Sequence, residues 1–137
     1  MWRHSVRGSL EGFPLLHIKP RPDAPDTPGW SDWLAASQHE RTSPERGVQY
    51  ALARNALEAV KSNAGLLVCG LSCVVDAIER GALSLPFPAK ESLRSKHPYR
   101  MKIREAASAR SQLARFADWL ADETARTKAV MENLTMT

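Results

Sequence analysis

Cysteine is scarce in this chain. Cys69 and Cys73 are the only two, too few for a disulfide framework, and without further ligands they cannot build a zinc site. Both are expected to be buried, reduced thiols. No stretch of about 18 or more uncharged apolar residues occurs, so no membrane span is expected. The start, Trp2-Arg3-His4-Ser5-Val6-Arg7, lacks the apolar centre of a signal peptide, and a cytoplasmic location is the expectation.

Catalytic signatures are missing as well. His4, His17, His39 and His97 stand in four separate segments, with no Cys or His at a metal-ligand spacing and no Gly-x-Ser-x-Gly turn for a nucleophile. Gly65 and Gly70 have the spacing of phosphate-loop glycines but not the Lys and Ser or Thr that should follow. Asp76, Glu79, Asp118, Asp122 and Glu123 fall mostly at solvated helix positions, and nothing singles out a catalytic pair. His17, on a predicted strand, reads as a structural histidine. The chain is therefore not expected to be an enzyme or to carry a cofactor or metal. The 19 Lys and Arg are scattered among 15 acidic residues for a net charge of +4. No basic run with interleaved aromatics stands out, and DNA binding by this chain alone is not expected.

What is present is one domain's worth of globular sequence: 137 residues, 43% hydrophobic and 25% charged. Its centre is Gly47–Leu85, which reads strand, helix, strand, helix, strand. Gly47–Tyr50 is β-prone. Across Ala51–Ser62 the apolar positions Leu52, Ala53, Ala56, Leu57 and Val60 recur at helical spacing. Asn63, Ala64 and Gly65 close that helix, and Leu66–Cys69 follows as a fully buried strand. Gly70 leads into a second helix through Leu71, Val74, Val75 and Ile78, ended by Gly81. A strand entered from one helix and left into another predicts an α/β fold, with a mixed, mostly parallel sheet flanked by helices.

Around this centre, Phe13–Ile18 is a predicted strand halted where Pro20, Pro22, Pro25 and Pro28 begin a surface loop. Trp30–Ser37 is a short helix whose indoles anchor that loop to the core. Tyr99, Met101 and Ile103 alternate with Arg100 and Lys102, the period of a half-buried strand. Ser108 or Ser111 starts a last helix with the apolar stripe Leu113, Phe116, Trp119 and Leu120. Such a stripe needs a partner, so self-association as a homo-oligomer is expected through these four residues.

Several of these stretches resemble the effector-binding domain of LysR-type transcriptional regulators. Ala56–Pro88, ALEAVKSNAGLLVCGLSCVVDAIERGALSLPFP, is similar to that family's run from its central helix to a Leu-Val-x-Pro-Phe turn. Pro14-Leu15-Leu16-His17, Arg21-Pro22-Asp23 and Trp30-Ser31-Asp32-Trp33-Leu34 match upstream motifs. Tyr99–Ile103 and Phe116–Glu123 match a strand and a helix downstream. The resemblance spans about Leu10 to Arg126, so residues 1–12 read as a lead, 13–126 as the lobe with its returning helix, and 127–137 as a tail.

The resemblance implies the second lobe of a type II periplasmic-binding-protein-like domain, without the winged helix-turn-helix and most of the first lobe. A small-molecule effector would sit between lobes, touching Gln49, Tyr50, Ala51 and Leu52 at a helix start and Val68, Cys69 and Gly70 at a strand end. Ala51 and Leu52 stand where the family often has polar residues, and Gly70 stands where it has proline. Effector binding is accordingly expected to be weak or lost. The alternative is a truncated regulator product acting as a self-associating dimerisation module.

Overall fold

The computed structural model describes residues 9–136; most of the predicted lead therefore lies outside the described residues. Its centre is a parallel sheet of three strands, β1 (Leu15–Ile18), β2 (Val48–Tyr50) and β3 (Leu66–Leu67), in the order β2-β1-β3. Helix α1 (Trp30–Ala36) lies between β1 and β2 in the chain, and α2 (Ala53–Lys61) between β2 and β3. Because β1 separates β2 from β3, the α2 connection crosses over it. The α/β expectation holds in this form.

The central place of β1 follows from its residues. Leu15 and Leu16 point to opposite faces and both are buried, as a strand covered on both sides requires. Leu16 lies opposite Val48 in β2 and opposite Leu67 in β3. The ladder ends where the Lys19 amide donates to the Tyr50 carbonyl at 2.8 Å, because Pro20 has no N–H to continue it.

Two glycines let the neighbours close up on β1. A Cβ on Gly47 would stand 1.9 Å from the Leu15 carbonyl oxygen, and one on Gly65 would stand 2.4 Å from that of Pro14. Any side chain at either position would push a strand off the centre.

The core is built from Leu10, Leu15, Trp30 and Trp33, with Leu34, Leu66, Val68, Phe87 and Leu93 packed against it. The indoles of Trp30 and Trp33 meet edge-on, 5.8 Å apart at 88°. A buried indole needs a partner for its N–H. Trp30 Nε1 donates to the Leu16 carbonyl at 2.9 Å and Trp33 Nε1 to that of Glu91 at 3.1 Å. The tryptophans thus anchor the proline-rich loop, as the sequence predicts.

Elsewhere the structure departs from the pattern. The Leu66–Cys69 run pairs only over Leu66–Leu67 and is half-buried, because Val68 and Cys69 leave β1 on the way to Gly70. The helix expected from Leu71 is split into a 3-10 turn, Leu71–Cys73, and α3, Val75–Glu79, closed by Gly81 at φ 72°. No strand forms at Ala82–Leu85 or at Tyr99–Ile103. Alternation supplies a strand's faces but not the neighbour its amides need, and no described backbone hydrogen bond reaches Pro98–Ile103. After a second 3-10 turn, Ala89–Glu91, the chain runs irregularly to α4 (Glu105–Ser108) and then α5 (Ser111–Met136), which is continuous through the segment read as a tail.

Candidate functional site

The seven positions expected to touch an effector lie at one edge of the sheet. Gln49 and Tyr50 end β2, and Ala51 and Leu52 turn into α2, with Leu52 as its N-terminal cap residue. Val68, Cys69 and Gly70 follow β3. Since all three strands run parallel, both groups stand at carboxyl ends, on either side of Ile18 and Lys19 of the central strand. The strands they follow, β2 and β3, are two strand spacings apart, about 10 Å.

The chemistry at this edge is sparse. No side chain caps the start of α2, so the Ala53 and Arg54 amides are open donors among the described residues. Burial, and secondarily the neighbouring Cys73, push the Cys69 thiol up to about 11. It therefore stays protonated and unreactive at neutral pH. Among the described residues both cysteines are free, but only Cys69 is partly buried, whereas Cys73 is exposed. The expectation of two buried thiols fails at Cys73, which lies on the Leu71–Cys73 turn and is exposed there.

The two groups share an edge, and the recess beside it takes in only one of them. A recess of about 250 Å³ is lined by Tyr50 together with Pro14, Arg41, Arg46, Gly47 and Ala64, and by none of Val68, Cys69 and Gly70. His17, which lies between the groups in register, is a satisfied structural residue, its Nε2–H donating to the Arg46 carbonyl at 3.0 Å.

A second cluster could not be found from sequence spacing. His39 is buried, stacked on Trp33 at 5.2 Å and 6°, with Phe87 at 4.4 Å. Its Nε2–H donates to Glu91 Oε2 at 3.0 Å, while Nδ1 has no partner among the described residues. Glu91 also receives the Trp33 indole through its carbonyl, so the cluster pins the Ala89–Glu91 turn to α1. Its residues come from distant stretches, and only the aromatic character of Trp33 and Phe87 hinted at it. No group of three or more His, Cys, Asp or Glu among the described residues could hold a metal ion.

The stripe on α5 divides in two. Leu113 and Leu120 are half-buried, whereas Phe116 is 53% and Trp119 55% exposed, their rings 5.9 Å apart. The helix rests on both 3-10 turns and on α3 within this same chain. Part of the stripe that was expected to lack a partner therefore has one.

No described helix is long and apolar enough to cross a membrane. Neither a protein-family model, a curated protein nor a solved structure matches this chain.

Proposed function

We propose that this chain is a sensory fragment of a LysR-type transcriptional regulator, the second lobe of its effector-binding domain, with a binding role and no catalytic one. The observation that carries this reading is the placement of Gln49–Leu52 and Val68–Gly70 at the carboxyl edge of a parallel sheet, flanking its central strand. Ligands of open α/β sheets collect outside that edge, and the uncapped amides of α2 suit a carboxylate. A single lobe covers only part of a ligand, so affinity is weak.

Amide NMR shifts during titration with small organic acids and amino acids test the reading. The expected result is a set of shifts confined to the two segments, saturating in the millimolar range. A tight one-to-one complex, shifts centred elsewhere, or no shift with any compound of the panel would overturn it.

The exposed Phe116 and Trp119 pair favours a second reading, a self-associating module in which two copies cover this patch with each other. Light scattering on the chain and on Phe116→Asp/Trp119→Ser decides it. Association that the double variant abolishes supports the module, and a monomer at tens of micromolar removes it.

A further inference from the structure

We propose that Tyr99–Arg104 is a docking surface for single-stranded nucleic acid. This goes beyond the sensory reading and does not depend on it. Charge counted over the whole chain conceals a local run: Ser92–Arg104 contains Arg94, Lys96, Arg100, Lys102 and Arg104 and no Asp or Glu. All five cations are exposed, and none forms an ion pair among the described residues. Arg94 and Lys96 share a shallow recess with Asp26 and Asp32, which offset their charge. Arg100, Lys102 and Arg104 do not line that recess, and Glu105 on α4 bounds the run.

An irregular backbone with alternating cations suits a strand of phosphates. Residues 98–104 form no helix, strand, turn or bend, and Arg104 has extended dihedrals, φ −65° and ψ 137°. Cations at every second residue of an extended chain stand about 6.6–6.8 Å apart, a step comparable with that between successive phosphates of an extended single strand. Tyr99 is 90% exposed at the head of the run and offers a ring on which a base can stack. Duplex readers put a helix or a two-stranded ribbon into a groove, and this segment is neither.

Fluorescence anisotropy with labelled oligothymidylate and oligouridylate, over a salt series, tests the proposal. Neutralising three phosphates predicts a slope of log affinity against log salt of about −2. Arg100→Glu/Lys102→Glu/Arg104→Glu should lose about tenfold or more, and Tyr99→Ala about fivefold or more. The control Arg54→Glu/Arg80→Glu/Lys128→Glu changes net charge equally on other elements and should keep most of the affinity. The segment is exposed and irregular, so the variants should retain the wild-type circular dichroism. Equal loss in both charge variants, no effect of Tyr99→Ala, absence of oligonucleotide binding at low salt, or binding to phosphatidylserine vesicles alone would each overturn it.

Discussion

The two parts of the molecule on either side of Glu91 have similar proportions of large apolar residues and opposite fates. Every buried described residue lies between Leu10 and Ala89, and none lies beyond. In the first part a strand acquired neighbours on both edges, and two tryptophans found carbonyl partners. In the second, Tyr99, Met101 and Ile103 have the alternation of a strand but no edge to join, and they stay exposed. Helix α5 forms regardless, because a helix closes its own hydrogen bonds while a strand borrows them. Burial thus follows the availability of a partner more than the apolar content of a segment.

Substitutions at the two glycines should break the first part most severely. Gly47→Ala or Gly65→Ala forces a Cβ into the backbone of Pro14–Leu15, where neither strand can yield without leaving the sheet. A loss on the order of 3 kcal/mol or more is expected in chemical denaturation, enough to remove the cooperative transition of a small domain. A wild-type midpoint in either variant would show that β1 is not held as described. The matching change in the second part, Tyr99→Ser/Met101→Ser/Ile103→Ser, should alter stability by no more than about 0.5 kcal/mol per site. A large loss there would mean that the segment is packed after all.

Legibility in the sequence follows the same division. The β1, α1, β2 and α2 elements were readable because Pro20, Pro44 and the glycines punctuate them and the periods are clean. The start of α2 and the turn after β3 could be placed, since a parallel sheet brings carboxyl ends to one edge. The truncation of β3 and the loss of the Tyr99–Ile103 strand were not readable, because pairing depends on partners far along the chain. His39 is the clearest case: its partners Phe87 and Glu91 are distant in sequence, and no local spacing could announce them. The basic run before α4 was visible throughout but was lost in a whole-chain charge count.

Thiol chemistry compares the same environments on a finer scale. Cys69 is partly buried with its pKa raised to about 11, while Cys73 is exposed. With iodoacetamide near about pH 8, mass spectrometry should show Cys73 modified first and Cys69 only slowly in the folded chain, with the difference lost in denaturant. Equal rates in the folded chain would place Cys69 in solvent. The raised value also implies that stability declines as pH climbs past the ordinary 9.0 toward 11, because the folded state resists ionising this thiol.

The smallest expected effect concerns the link between the irregular segment and the proline-rich loop. His97 Nε2–H donates to Asp26 Oδ1 at 2.7 Å. This bond, a further one donated by Asp26's own backbone N–H, and the charges of His97 and Lys96 hold the Asp26 carboxyl below its ordinary 3.8. A carboxylate with a lowered folded pKa stabilises the fold above its unfolded value, and that contribution is lost as pH falls through the lowered one. The contribution is small because both partners are about half exposed and solvent screens them. Asp26→Asn should therefore melt slightly lower than the wild type near neutral pH, with the difference closing as pH drops from about 5 to about 2. Melting curves of the two proteins across that range check it. A gap that stays constant to the acid end would mean that the asparagine perturbs loop packing, and that the His97 bond does not tie the exposed segment to the sheet-bearing part.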